Sequence, residues 1–411
     1  MTEAKKDCDV LRRLGARIAE IADLPVQREK ADLWRRLNRL ERVKPPVWIN
    51  EICWNEMGDE LALECEDAFC RTYEMQLRQI LYQWQHLPAD MVVDGSVVCP
   101  LVIHDSGYGI VGQETVPDHE FGARDYIPII KTEADIERIK TPEVWVDRQA
   151  TQRNHERLQG IFAGILPVVE TGAQCTWFAP WDRLVCYWGT TELMVDMVDR
   201  PELVERGIER MVEAELGRLD QLVAQNALSL NNNNVRVGSG GLGFSDELPQ
   251  PDFDGVHVRP IDMWSSATAQ IFSEVSPAMH ERFALRYERR WLERFGLNCY
   301  GCCEPLHKKI PILAAQVPRL RRISISPRAN VEEAAAAIED KYIFSYKPNP
   351  SILAEEAWSP EGARQVLREA LEKTRGCVVE VIMKDISTVR RQPQRLWEWA
   401  QIAREVTEEY G

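Results

Sequence analysis

Apolar runs typical of buried strands alternate along the chain with segments whose apolar residues recur at helical spacing. This alternation predicts a parallel sheet with helices packed outside it. About eight strands favour closure into a (β/α)8 TIM barrel over an open sheet, so the predicted fold class is α/β. The predicted strands are 91–98, 164–169, 227–233, 258–264, 297–302, 321–326, 342–347 and 378–384. The predicted helices include 60–84, 201–225, 277–295, 306–315, 331–338 and 394–410.

The amino-terminal segment has a different pattern. Residues 8–44 show a helical period that is broken at Pro25, with charged residues on the other faces. We therefore predict a helical extension over 1–44, which either caps the protein or contacts a partner, including a second copy in a homodimer. A Pro-Pro step at 45–46 marks the start of the main domain, predicted as 45–411.

Two long irregular stretches, 99–128 and 231–260, interrupt the alternation of strands and helices. Loops of this length inside a domain usually bind something or act as lids. The second stretch contains SGGLGF, which lacks the order of a phosphate-binding glycine motif. We expect these loops to shape a site near the strand ends.

Composition and charge narrow the function classes. The formal net charge of −15 disfavours a nucleic-acid partner, because phosphate binding needs clustered Lys and Arg. No stretch approaches the roughly 20 apolar residues of a membrane helix, so we expect no membrane association and a cytoplasmic location. Eleven cysteines without a secretion signal indicate reduced thiols rather than a disulfide framework.

The densest chemistry lies at the strand-to-helix turn after residue 301. Cys302, Cys303, Glu304 and His307 place two thiols, a carboxylate and an imidazole within six residues. Active sites of barrels lie at such strand ends, so we interpret this turn as the floor of the site. Inert packing of the cysteines, and an exposed His307, remain open alternatives.

Several motifs occur in an order that resembles the uroporphyrinogen decarboxylase superfamily, which also holds the cobalamin-dependent methyltransferases. They are PPVWI at 45–49, the Asp-x-Trp segment opening 261–288, YGCCEP at 300–305 and SYKPNP at 345–350. The resemblance covers most of 45–405 and implies a barrel with its site at the carboxyl ends of the strands.

Departures from the family pattern select a branch. In the decarboxylases of the family, the motif that corresponds to 45–49 is followed by arginines that bind the propionate groups of the substrate. This chain has Asn50, Glu51 and Ile52 there. Burying porphyrinogen carboxylates without cations would be costly, so uroporphyrinogen decarboxylation is disfavoured. The methyltransferase branch fits better, with Cys302 at the position of a zinc-binding cysteine and Tyr300 replacing the usual His.

The resemblance implies chemistry for particular residues. A zinc ion is possible, with Cys302, Glu304 and His307 as ligands and with Glu247, Glu274 and Asp262 in reserve. Tyr300, Asp262 and Asp94 are the candidate catalytic residues. The candidate substrate-binding residues, which would enclose an aromatic ring or bind it with an amide, are Trp48, Trp54, Phe244, Trp264 and Asn234.

The leading hypothesis is a corrinoid-dependent methyltransferase that moves a methyl group from a small substrate, most plausibly an aromatic methyl ether, to the Co(I) of a corrinoid protein. Such O-demethylation belongs to anaerobic metabolism and needs an acid at the departing oxygen. The alternatives are a zinc-dependent methyltransferase from a methylated corrinoid to a thiol, a decarboxylase of a small acid, and a barrel that binds a ligand without catalysis.

Overall fold

The computed structural model describes residues 3–115 and 125–411, so 116–124 of the first long loop lie outside the described residues. Its strands are β1 (Val47–Ile49), β2 (Val97–Pro100), β3 (Ile103–Asp105), β4 (Gln113–Thr115), β5 (Asp125–Ile127), β6 (Val144–Val146), β7 (Val168–Thr171), β8 (Trp177–Phe178), β9 (Trp264–Ala267), β10 (Leu297–Tyr300), β11 (Leu320–Ile325), β12 (Ile343–Tyr346) and β13 (Val378–Met383).

Seven strands form one parallel sheet in the order β1-β13-β12-β11-β10-β9-β8. Strands β2 and β7 form a separate parallel pair, and β3–β6 and β4–β5 are short antiparallel pairs. Within the described residues, no ladder joins β1 to β2 or to β8. The predicted parallel α/β architecture is confirmed, whereas a fully closed eight-stranded barrel is wrong, because the sheet stays open between β1 and β2.

The last four predicted strands match β10 to β13 within two residues at each end. The strand predicted at 227–233 is wrong: Leu228 makes one isolated bridge with Ala173, and the chain then leaves the sheet. The strand predicted at 258–264 begins only at Trp264, because Pro260–Asp262 forms a 3-10 turn. Strands β1 and β8 were missed, since two or three residues are too short to show a period.

The helices are α1 (Glu3–Ala22), α2 (Pro25–Asn38), α3 (Ala68–His86), α4 (Glu133–Ile136), α5 (Arg148–Phe162), α6 (Pro180–Trp188), α7 (Thr190–Asp199), α8 (Pro201–Ala224), α9 (Pro277–His280), α10 (Arg286–Leu292), α11 (Ile310–Gln316), α12 (Val331–Ile338), α13 (Pro360–Lys373) and α14 (Gln394–Glu408). One π turn, Glu281–Leu285, joins α9 to α10. No helix among the described residues is long and apolar enough to cross a membrane.

The two faces of the sheet pack against different partners. Phe344 and Val379 belong to the large cluster that includes buried residues of α13 and α14. Their neighbours Ile343 and Val378 belong to a smaller cluster with Trp34 of α2. We call the face that carries Ile343 and Val378 the inner face.

Helices α1 and α2 confirm the predicted amino-terminal helical segment, although its separation as a domain at residue 44 stays a prediction. Pro25 is the first residue of α2, in agreement with the predicted break. Trp34 is fully buried, and its indole N–H donates a hydrogen bond to the Asp90 carbonyl at 2.7 Å. Because Ile343 and Val378 are the first residues of β12 and β13, Trp34 packs at the amino ends of these strands.

The glycine-rich part of the second long loop lies against the inner face. Ser239 donates hydrogen bonds to the Gly301 carbonyl and to Ser324 at the carboxyl ends of β10 and β11. A Cβ atom at Gly240 would lie 2.4 Å from Cδ of Arg322, and one at Gly241 would lie 2.3 Å from the ring of Trp34. These glycines therefore allow the loop to pack into the interior.

We predict that Gly240→Ala destabilises the protein by about 1–3 kcal/mol, because the new methyl group collides with the buried side chain of Arg322. Gly160→Ala, in α5 with open space around its Cβ position, is the matched control and should be neutral or stabilising by up to about 1 kcal/mol. Urea denaturation measures both variants. Equal stability of the two variants would contradict the interior placement of the loop.

Candidate functional site

A buried ion pair crosses the inner face below the strand ends. Arg322 of β11 and Glu380 of β13 lie 3.1 Å apart, with side-chain exposures of 1% and 0%. Ser345 and the Gly241 backbone N–H donate to Glu380, while Asn38 of α2 accepts from Arg322 at 2.8 Å. The pair therefore connects β11, β12 and β13 with α2 and with the glycine-rich segment 238–244, which we call the inner loop.

Two buried lysines, Lys347 and Lys384, lie nearer the carboxyl ends of the strands than this ion pair does. They directly follow β12 and β13. Lys347 donates to the carbonyl and the hydroxyl of Ser345, at 3.1 and 2.8 Å. No carboxylate of the described residues lies within 4.0 Å of its amine. Burial lowers the pKa of Lys347 to about 7; the charge of Glu380 opposes this shift and that of Lys384 adds to it.

Lys384 has partners that Lys347 lacks. Its amine lies 3.0 Å from Asp385 and 3.5 Å from Glu51. It also donates to the sulfur of Cys302 at 3.5 Å. Although burial lowers the pKa of Lys384, its contact with the Cys302 sulfur and the charges of Glu51 and Asp385 raise it above its ordinary value. Lys384 is therefore a permanent cation beside the thiol.

The vicinal thiols lie beside these lysines. The sulfur atoms of Cys302 and Cys303 are 3.5 Å apart, and a hydrogen bond from Cys302 lowers the pKa of Cys303 to about 7. Glu304 is fully buried below them, where it accepts from the Cys302 backbone N–H at 2.9 Å and from Thr268 at 2.8 Å. Glu304 thus fixes the turn that presents the thiols.

These groups surround a cavity of about 240 Å³ that we call the cleft. Its position at the ends of parallel strands is the place where barrel enzymes bind their substrates. The cleft is lined by Cys302, Cys303, Pro327, Arg328, Lys347, Pro348, Asn349, Pro350, Lys384 and Asp385. Of the metal ligands suggested from the sequence, one, Cys302, lines it.

The other two suggested zinc ligands do not converge with Cys302. Both oxygens of Glu304 already accept hydrogen bonds, and His307 has its Nε2 atom 3.9 Å from Glu333. Across 3–115 and 125–411, no three His, Cys, Asp or Glu side chains are grouped as a metal site requires. The arrangement of these side chains does not fit a zinc ion.

Tyr300 faces away from the cleft into a buried polar cluster. Its hydroxyl donates to Glu288 at 2.7 Å and lies 2.7 Å from Nε2 of His280. Burial raises the pKa of Glu288 to about 8 and lowers that of His280 to about 3. The cluster holds His280, directly before the π turn, and Glu288 of α10 against β10.

Asp262, Glu247 and Trp264 stabilise loops, whereas Glu274 makes no such contact among the described residues. Asp262 accepts from Arg259 at 2.8 Å and is fully buried. Glu247 pairs with Arg321, and Glu274 is exposed. The indole of Trp264 is buried and donates to the Gly243 carbonyl, so it anchors the inner loop.

The structure brings Trp48, Asp94 and Asn234 together around a second cavity, of about 270 Å³. Trp54 instead packs edge-on to Tyr82, and Phe244 packs beside the Trp34 cluster. With Trp264 at the glycine-rich loop, the five candidate substrate-binding residues are therefore distributed over four places rather than one.

Sequence reasoning missed Lys347, Glu380 and Arg322. A signal was present at one of these positions, because Glu380 interrupts the otherwise apolar strand 378–383, whereas Arg322 lies in a strand that also holds Arg321 and Ser324. Charged residues are almost never fully buried unless paired, so a carboxylate inside an apolar strand predicts an internal cationic partner, which here comes from β11, two strands away.

The fold has a counterpart among solved structures. A methyltransferase from Methanosarcina mazei superposes with a TM-score of 0.50 and 10% sequence identity, over 93% of this chain and 98% of that one. This likeness concerns the fold alone. No family profile and no curated protein sequence matches the chain.

We predict that Glu380→Gln lowers stability by about 3–5 kcal/mol, because it leaves the buried Arg322 guanidinium without its counter-charge. Glu247→Gln removes a carboxylate from the half-exposed pair with Arg321 and should cost at most about 1 kcal/mol. Thermal and urea unfolding compare the two. Similar losses of stability in both variants would show that the buried pair of Arg322 and Glu380 stabilises the fold no more than the half-exposed pair does.

Proposed function

We propose that the protein transfers a methyl group from a small methylated substrate, an aromatic methyl ether, to the Co(I) of a corrinoid held by a partner protein. The observation that carries the proposal is the cleft at the strand ends, where the buried Lys347 and Lys384 amines lie beside the Cys302 thiol. The likeness to a methyltransferase of related fold favours methyl transfer over other reactions of barrels.

Lys347 is suited to the difficult part of this reaction. When the methyl–oxygen bond breaks, oxygen keeps the electron pair and must be neutralised as it departs. A phenol has a pKa near 10, so a donor whose pKa is about 7 transfers its proton readily. At neutral pH the Lys347 amine is present in both protonation states, which is the condition for efficient general acid catalysis.

Lys384 supports the same step electrostatically. Its ammonium, on a buried side chain, adds positive charge where the oxygen becomes negative. The same charge keeps the neighbouring Lys347 easy to deprotonate. The two lysines thus have separate roles: Lys347 donates the proton, and Lys384 provides a positive charge that does not change during the reaction.

The corrinoid would supply the nucleophile that accepts the methyl group. A cleft of about 240 Å³ is too small to enclose a corrin macrocycle, so we place the corrinoid outside it. At the rim, Arg328 donates to the Cys303 carbonyl at 3.2 Å and has no carboxylate of the described residues within 4.0 Å. The methyl group of the substrate would point toward this rim.

A second candidate, decarboxylation of a small acid, is favoured by the three cations that line the cleft, Arg328, Lys347 and Lys384. A carboxylate would find charge-assisted donors there. This candidate predicts release of carbon dioxide without any corrinoid, whereas methyl transfer predicts consumption of cob(I)alamin.

The direct test follows cob(I)alamin absorbance with methoxylated aromatics, methylamines and methanol as donors. We expect methoxylated aromatics to be consumed and the corresponding phenols to appear. Metal analysis of the same sample gives the zinc content. If none of the donors methylates cob(I)alamin, with or without added zinc, the proposal fails.

We predict that Lys347→Met lowers kcat/KM for methyl transfer by roughly 10²–10⁴-fold, the usual contribution of a general acid. In the unaltered protein, kcat/KM should fall as pH rises through about 7, because the donor then loses its proton. Lys341→Met, which removes an exposed lysine paired with Glu339, is the control and should leave the rate unchanged. A Lys347→Met variant with normal rate and the same pH profile would exclude Lys347 as the acid.

A further inference from the structure

The contacts of the Lys347 amine leave its lone pair without a partner. The amine donates to two oxygens of Ser345, the carbonyl at 3.1 Å and the hydroxyl at 2.8 Å, and to no other acceptor in the described part of the chain. A neutral amine has two N–H bonds, which these two oxygens can accept, and one lone pair. A lysine whose lone pair is free acts as a nucleophile toward carbonyl groups.

The surroundings of Lys347 favour this neutral form. The residue is 1% exposed, and burial disfavours the ammonium. Lys384 lines the same cleft, and its charge opposes a second one nearby. Glu380 acts in the other direction, but it pairs with Arg322 and is connected to Lys347 through the hydroxyl of Ser345. Burial beside another cation is the setting in which lysine amines become reactive nucleophiles.

The cleft limits the size of a carbonyl compound that could reach this amine. Lys347 directly follows β12, at the carboxyl end of a parallel strand, where ligands of such sheets bind. The cleft volume of about 240 Å³ lies below the range of ordinary ligand pockets, about 300–1,000 Å³. The ligand is therefore a molecule of a few carbon and oxygen atoms.

The charges that line the cleft favour an anion. Three cationic side chains, Arg328, Lys347 and Lys384, face one carboxylate, Asp385, which already pairs with Lys384 at 3.0 Å. Both hydrogen bonds of Arg328 use its Nη2 atom, and no carboxylate of the described residues lies within 4.0 Å of its guanidinium. Its other N–H groups remain available, and a guanidinium matches the planar geometry of a carboxylate.

We propose that Lys347 forms an imine with a small oxo acid bound in the cleft, an activity that needs no corrinoid and does not rest on the methyl transfer proposed above. The amine nitrogen attacks the carbonyl carbon. Its two hydrogens then leave with the carbonyl oxygen as one water molecule while the C=N bond forms, so no oxidant or reductant is consumed. The Ser345 hydroxyl, between the amine and Glu380, is placed to pass protons during this exchange. Arg328 binds the carboxylate.

Reductive trapping of the full chain tests the proposal. The protein is incubated at pH 7 with pyruvate or acetoacetate, and separately with acetone as a carbonyl compound without a carboxylate. Sodium cyanoborohydride reduces any imine to a stable secondary amine, and peptide mass spectrometry locates the adduct. We expect the adduct of an oxo acid at Lys347, in at least tenfold higher yield than that of acetone, because exposed lysines are protonated at this pH and acetone lacks the contact with Arg328.

Three variants separate the roles of these residues. Lys347→Met should abolish the adduct, whereas Lys341→Met, which removes an exposed lysine paired with Glu339, should leave its yield unchanged. Arg328→Gln should lower trapping of the oxo acid roughly tenfold or more, the value of a charge-assisted hydrogen bond, without changing the yield with acetone.

The adduct is located in the unaltered protein, so the test stands even if Lys347→Met does not fold. The proposal is overturned if neither oxo acid labels Lys347, if exposed lysines are labelled equally well, or if acetone is trapped at Lys347 as efficiently as the oxo acids. Trapping and consumption of cob(I)alamin are separate measurements, so imine formation and methyl transfer can each fail without the other.

Discussion

The ion pair between Arg322 and Glu380 is the constraint around which the interior is arranged. Two full charges inside a sheet are tolerated when polar groups surround them, and here those groups come from separate parts of the chain. Asn38 brings α2 under the strands, Gly241 brings the inner loop into the interior, and Ser345 supplies a hydroxyl from β12. The close approach of the loop then requires glycine at positions 240 and 241.

The chemistry of the cleft follows from this arrangement. Ser345 connects Glu380 to Lys347, so the buried lysine is oriented by the same network that holds the ion pair. Glu380 forms its ion pair with Arg322, so Lys347 has no direct carboxylate partner. Lys384, in contrast, is balanced by Glu51 and Asp385 and remains charged. One amine is thereby poised to lose a proton while the other is not.

The sequence predicted the late strands well because 321–326, 342–347 and 378–384 are continuous buried runs, which local patterning reveals. It could not predict the inward path of the glycine-rich loop, because that path depends on Arg322 and Trp34, which are distant in sequence. The same holds for the cleft. Cys302 was identified from its local motif, whereas its contact with Lys384 joins residues 82 positions apart.

The central claim is that Lys347 is a buried amine without a counter-ion that titrates near neutral pH. Nuclear magnetic resonance of protein labelled with ¹³C at lysine Cε measures this directly, with the Lys347 signal assigned by its loss in Lys347→Arg. The account predicts a titration midpoint near the pKa of about 7 given by burial. A midpoint above about 10, where exposed lysines titrate, would contradict it.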